Sequence, residues 1–76
     1  MSFKVIIVSP KEKWEGDLES LTLPGQNGEL TIFSNHAPIV GKLGEGEIAT
    51  GSYTVKVKDG FFEFLNNKAQ ILINEK

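Results

Sequence analysis

Along most of this chain apolar and polar residues alternate with a period of two, the spacing of strands half-buried against a core. The signal is clearest in the last third. In YTVKVK, Tyr53, Val55 and Val57 alternate with Thr54, Lys56 and Lys58; in FFEFL, Phe62 and Phe64 flank Glu63. In AQILIN, Ala69, Ile71 and Ile73 share one side. Asp59-Gly60 separates the first two runs and suits the positive φ angles of a tight hairpin turn. Asn66-Asn67 supplies a second turn, because asparagine tolerates left-handed geometry. The pattern predicts a three-strand meander, with Phe61 pointing away from Phe62.

The first half reads in the same way. Phe3 to Ser9 is apolar on both faces, as in a strand covered on both sides, and Pro10 ends it because it has no ladder donor. Trp14 sits in a short strand leading to Gly16. Asp17 to Leu23 forms a further strand, stopped by the turn dipeptide Pro24-Gly25. Asn27-Gly28 signals another hairpin before a strand from Leu30 to Phe33. Gly41, Gly44 and Gly46 punctuate the approach to a strand from Glu47 to Thr50. Only Ile39 to Leu43 has room for a single helical turn. Helical periodicity is missing elsewhere. Short strands with turn signals about every 8–12 residues predict an all-β sandwich or barrel.

Composition narrows this picture. At 76 residues the chain is one domain, residues 1–76, near the lower size limit for folding without a staple. It contains no cysteine, which removes disulfides and zinc-thiolate sites as that staple. The formal charge is −2 and all eight cations are lysines. Nucleic-acid binders rely on clustered positive charge and on the planar fork of arginine, so nucleic acid is not an expected partner. The run Val5-Ile6-Ile7-Val8 is far shorter than the ~20 residues that cross a membrane as a helix. The N-terminus matches neither a secretory signal nor a transit peptide.

Candidate chemistry concentrates in GELTIFSNHAP, residues 28–38, which holds the only histidine. Ser34 and His36 suggest a nucleophile and base, but a triad needs a third group that orients the imidazole. Asp17 is the one partner considered for that role, and convergence of the three is required. Asp17 and Glu19 read as a solvated strand edge. One histidine without cysteine offers a poor transition-metal site, and the glycines of GKLGEGE lack the ending of a phosphate loop. No catalytic residue, cofactor or metal is expected. Phe33 and Phe61, which do not fit the core pattern, point towards a partner-binding surface.

The stretch LPGQNGELTIFSNHAPIVGKLGEGEI resembles the signature region of the epsilon subunit of the F-type ATP synthase. Gly28-Glu29-Leu30, Ile32, His36-Ala37-Pro38 and the Leu43-x-x-Gly46 spacing match the family pattern. The flanks agree as well: an opening strand ending in Ser-Pro, an aromatic residue before Gly16, and the closing DGFFEFLNNKAQILIN. Thr31 stands where glycine is usual, Ser34-Asn35 replaces a common turn, and Asp59-Gly60 stands where Gly-Gly is frequent. Asn35 and Asp59 can adopt the conformations glycine would take there.

The resemblance implies a flattened β-sandwich of roughly 8–10 short strands in the central stalk of the synthase, without chemistry of its own. It implies a rotor subunit that couples the gamma subunit to the c-ring and meets the membrane only through the complex, on the cytoplasmic face of a bacterial inner membrane. Carried over by motif, Glu29, Leu30, Thr31, Ile32 and Phe33 are expected to face the ring. His36, Pro38, Ile39 and Val40 are expected at the junction of gamma and ring. Family members typically continue into a C-terminal helical hairpin that can block rotation. This sequence ends at Lys76, so coupling without that mode of inhibition is the expectation. The alternative, from the residues alone, is a free-standing ligand-binding sandwich, for instance for glycans, with Trp14 and the phenylalanines as a stacking platform.

Overall fold

The computed structural model describes residues 1–76 as eight strands with no helix. They are β1 (Phe3–Val8), β2 (Lys13–Leu18), β3 (Ser20–Gly25), β4 (Gly28–Phe33), β5 (Ile39–Leu43), β6 (Gly46–Ala49), β7 (Thr54–Leu65) and β8 (Lys68–Glu75). All belong to one sheet in the order β2-β1-β8-β7-β5-β3-β4, with β6 added beside β7. Only Glu19 separates β2 from β3, yet these strands sit near opposite ends of that order. The sheet therefore curls back on itself and forms a flattened sandwich, 31 × 25 × 17 Å. The expected all-β sandwich is the fold observed.

The inward side of the alternation forms the core. Val5, Ile7, Leu21, Leu23, Ile32, Ile48, Val57, Phe64 and Ile71 are almost completely buried, and Phe3, Phe62, Ala69 and Ile73 join them. Phe3 meets Phe64 edge-to-face at 5.4 Å, an arrangement favoured by the ring quadrupoles. The first and last strands are neighbours: β1 pairs with β8 in parallel, Val5 opposite Ala69 and Ile7 opposite Ile71. After β1, Ser9 closes a small turn. Its N–H donates to the Glu12 carbonyl at 2.9 Å and its Oγ accepts from the Glu12 N–H at 3.1 Å.

Several local expectations are corrected. Asp59 and Gly60 make no turn; both lie inside β7, a single strand of 12 residues. Neither has a positive φ, which the primed hairpin turn would demand. Lys58 is instead the extra residue of a β-bulge between the Val57–Glu75 and Asp59–Asn74 pairs. The bulge switches the inward positions from Val55 and Val57 to Gly60, Phe62 and Phe64. The predicted meander is thus one long bent strand and one hairpin. That hairpin turns at Asn66 and Asn67, with φ of 53° and 58°, as expected.

Asp17 and Leu18 belong to β2, so Asp17 to Leu23 is two strands broken at Glu19. Pro24 and Gly25 remain in β3, and the turn falls at Gln26-Asn27. Pro24 is tolerated because its carbonyl points away from β4, accepting from the Gly44 N–H at 2.8 Å. Ile39 to Leu43 is a strand rather than a helical turn, paired with β7 from Ile39–Phe64 to Leu43–Gly60. On β1, Phe3, Val5 and Ile7 are buried while Lys4 is exposed and Ile6 and Val8 are half-buried. This strand is covered on one face only.

Candidate interaction surfaces

The sequence segment 28–38 unfolds into a strand and a corner. β4 hairpins onto β3 across Gln26-Asn27, with Gly25 opposite Gly28, Leu23 opposite Leu30, Thr22 opposite Thr31 and Ser20 opposite Phe33. Glu29, Thr31 and Phe33 face solvent, Leu30 is half-buried and Ile32 is wholly in the core. Of the five residues singled out on this strand, three are therefore available at the surface. Leu30 and Ile32 anchor them from below. Thr22 and Thr31 share a hydrogen bond between their hydroxyls at 2.9 Å. Glu29 and Phe33 stand at opposite ends of β4, about 13 Å apart at the rise of an extended strand.

The corner follows directly. Asn35 takes a φ of 65°, and its N–H donates to Asn67 Oδ1 at 2.7 Å. Asn67 Nδ2 in turn donates to the Ser2 carbonyl at 3.4 Å, so two turns and the N-terminal segment are tied at one end of the sandwich. His36 N–H donates to the Phe33 carbonyl at 3.1 Å. The imidazole is exposed, pairs through Nδ1 with the Ala37 carbonyl at 2.6 Å and lies edge-on to Phe64 at 6.0 Å. Pro38 and Val40 are exposed, and Ile39 is half-buried. His36, Pro38 and Val40 are thus all exposed, His36 against Phe64 and Val40 on the opposite face beside Glu63.

Ser34 Oγ is buried without a hydrogen-bond partner, and His36 is engaged with a backbone carbonyl rather than with Ser34. Asp17 lies on β2, at the far end of the strand order from β4. These three residues do not form a hydrogen-bonded constellation. The aromatic residues do not converge either. Phe3, Phe62 and Phe64 are core, Phe33 and Phe61 stand on separate surfaces, and Trp14 is half-buried with its ring stacked on Tyr53 at 6.0 Å. Tyr53 donates its hydroxyl to Glu12 Oε1 at 2.8 Å. Burial, reinforced by that carboxylate, pushes the phenol up to about 12. Trp14, Tyr53 and Glu12 thus form a latch between β2 and the entry to β7.

One surface was only partly singled out by sequence reasoning, at Phe61 and Val40. On the outer face Val8, Leu72 and Phe61 lie side by side across β1, β8 and β7. Ile6 lies in the next row, beside Gln70 and Glu63, and Val40 of β5 is opposite Glu63. Phe61, Leu72 and Val40 are 58%, 57% and 71% exposed, too much apolar surface on one face for a scatter of solvated side chains. Ile6, Val8, Phe61 and Leu72 line a shallow groove of about 290 Å³. The signal was present in the sequence, in the two-sided apolar run of β1 and in Leu72 between Ile71 and Ile73. Lys13 and Lys42 flank the row, opposite Val8 and Phe61.

Comparison with known proteins gives this geometry a family. The model of the ATP synthase delta/epsilon chain β-sandwich domain matches residues 2–75. The ATP synthase epsilon chain of Gloeothece citriformis is 35% identical, with 97% of this chain and 57% of the relative aligned. That of Leptospira interrogans is 39% identical over 91% of this chain and 58% of the relative. The chloroplastic epsilon chain of Tetradesmus obliquus is 34% identical over 99% and 59%. The chain spans under three fifths of the length of these relatives. Among solved structures, a chain of the Tetrahymena thermophila mitochondrial ATP synthase central stalk and c-ring superposes with a TM-score of 0.78 at 12% identity, over 95% of this chain and 63% of that one. A chain of the Euglena gracilis mitochondrial ATP synthase gives 0.77 at 15% identity, over 95% and 50%. At such identities the structural likeness concerns the fold, whereas the family match and the closer relatives concern descent. The chain belongs to the ATP synthase delta/epsilon chain β-sandwich domain family, and its curated relatives are epsilon chains.

Proposed function

We propose that this domain is a non-catalytic rotor element of an F-type ATP synthase, coupling the gamma subunit to the c-ring during proton-driven ATP synthesis. The observation that carries the reading is the apolar outer face of Ile6, Val8, Phe61 and Leu72, continuing towards Val40. On a member of this family such a face fits the side of gamma. Covering each large apolar side chain there contributes about 2 kcal/mol. Glu29, Thr31 and Phe33 then meet the ring's polar loops, with Leu30 and Ile32 fixing the strand from beneath. His36, Pro38, Ile39 and Val40 sit at the junction. The membrane is reached only through the complex, on the cytoplasmic face of a bacterial inner membrane.

A torque-bearing joint benefits from segments already ordered before assembly, because the entropy of ordering them has been lost in advance. The Asn35–Asn67 tie and the rigid φ of Pro38 give the corner that property. Affinity capture of the tagged subunit from a native membrane extract tests the reading. Gamma and the c-ring are expected in the eluate, and their absence from a well-folded sample would overturn it. Glu29 is exposed and makes no ion pair within the chain. Glu29→Lys is therefore expected to reduce recovery of the ring while shifting monomer stability by less than about 0.5 kcal/mol. A large loss of monomer stability would make Glu29 a structural residue instead.

A further inference from the structure

The two ends of the strand order, β2 and β4, are guarded very differently. On β2 every exposed side chain is charged: Lys13, Glu15 and Asp17. Lys13 and Lys4 both pair with the Glu15 carboxylate, which lies below its usual range chiefly through the Lys13 hydrogen bond. Charged outer positions of this kind keep a sheet edge from pairing with another chain. β4 carries no lysine, no proline and no bulge, and its exposed positions are Glu29, Thr31 and Phe33.

The register states which peptide groups that edge offers. Pro24 sends its carbonyl to Gly44, away from β4, so the Pro24–Glu29 pair exchanges no ladder bonds. By antiparallel alternation the Thr22–Thr31 and Ser20–Phe33 pairs do not either. The close approach of the Thr22 and Thr31 hydroxyls is what such a pair produces. The N–H and C=O groups of Glu29, Thr31 and Phe33 consequently point outward. Among them only the Phe33 carbonyl has a partner, His36 N–H, and a carbonyl can accept a second bond.

These three residues are self-complementary. Placed antiparallel about a two-fold axis through Thr31, one copy sets Thr31 opposite Thr31, Glu29 opposite Phe33 and Phe33 opposite Glu29. No like charges meet, a threonine pair sits at the centre, and about six main-chain bonds can form at two per pair. We infer that the free edge of β4 pairs with the same edge of a second copy of this chain, giving an isologous dimer with one sheet running through both. The two-fold closes the contact, so the assembly stops at two. A contact of three residue pairs is small, which makes the dimer weak and concentration-dependent.

The inference touches the proposed function at one point. Glu29, Thr31 and Phe33 are ring contacts there, so the dimer is a form of the subunit outside the complex, and assembly onto the rotor dissolves it. The isolated chain tests the dimer, whereas affinity capture tests the rotor role, so the two can fail separately.

Sedimentation velocity of the isolated chain is expected to show the average mass rising from monomer to dimer as concentration approaches the millimolar range. Hydrogen exchange over the same range is expected to slow at the amides of Glu29, Thr31 and Phe33, with Leu30 and Ile32 unchanged. Thr31→Pro removes one outward N–H per copy without touching a main-chain bond to β3; the Thr22 hydroxyl that it leaves unpaired is exposed to water. Losing two such bonds weakens the dimer about thirtyfold. Thr31→Lys sets two like charges face to face, and its weaker dimer recovers in high salt; this variant keeps the test alive if the proline variant does not fold. A chain that stays monomeric to millimolar concentration overturns the inference. So does a dimer whose protected amides lie on β2, or one that survives both Thr31 variants and is dissolved by Leu72→Glu.

Discussion

Asn67 combines two roles in one side chain. Its backbone takes the left-handed conformation that the β7–β8 hairpin needs, and its amide ties the Asn35 corner to the segment before β1. Replacing it with alanine costs about 1–2 kcal/mol for the left-handed backbone and about 1 kcal/mol for each of the two lost side-chain bonds. Asn67→Gly keeps the conformation and loses only the two bonds, so urea denaturation is expected to order the chains as native, glycine, alanine. Tyr53 offers a prediction in pH. Its phenol is raised from the ordinary value near 10.0 to about 12, so the folded state holds the proton more tightly than the unfolded chain. The stability this provides is complete below pH ~10 and is lost as pH rises towards ~12. Following the phenolate absorbance checks the pKa, and Tyr53→Phe is expected to remove that part of the alkaline loss. At this scale the turn asparagines were legible in the sequence, because asparagine has few reasons to occur in such pairs. The bond between Asn35 and Asn67 was not, since nothing in local spacing relates residues that far apart in the chain.

Among the elements, β7 separates what pattern can tell from what it cannot. The apolar alternation identified both halves, and Phe62 and Phe64 are core as expected. Asp59-Gly60, a strong local turn signal, was overridden by tertiary pairing. β7 pairs with β6 and then β5 along one side and with β8 along the other, and only a continuous strand with a bulge satisfies all three. Gly60 has a different use there from the one its neighbour suggested: a Cβ at this position would collide with the Leu72 carbonyl and the Ile73 backbone. Gly60→Ala is therefore expected to cost about 1–3 kcal/mol as overpacking against backbone, read as a lower denaturant midpoint. Lys58→Ala, on the exposed bulge residue, is expected to change it by less than about 0.5 kcal/mol. Pro24 and the strand β5 were misread for the same reason. Whether proline breaks a strand depends on which way its empty nitrogen faces, and whether IVGKL extends depends on β7 beside it.

For the molecule as a whole, the decisive contrast is between a well-filled inside and an outer face that is apolar without being buried. Phe61→Glu with Leu72→Lys, an opposite-charge pair across the two strands, is expected to leave thermal stability nearly unchanged, since both side chains are more than half exposed, while gamma disappears from affinity capture. Retention of gamma would move its contact to another face. The exposed and buried positions of β4 were legible because alternation is local; of the outer face only Phe61 and Val40 were, because that face exists only once β1, β7 and β8 lie side by side. The parallel pairing of β1 with β8 carries a further consequence, for the order of events during synthesis. The N-terminal strand can pair with β2 soon after it leaves the ribosome, but its second partner is made long afterwards, so Val5 and Ile7 have no closed core to enter until Ala69 and Ile71 emerge. Closure of this domain's core must therefore wait for its last strand, and the emerging segment carries a half-covered apolar hairpin until β8 is made.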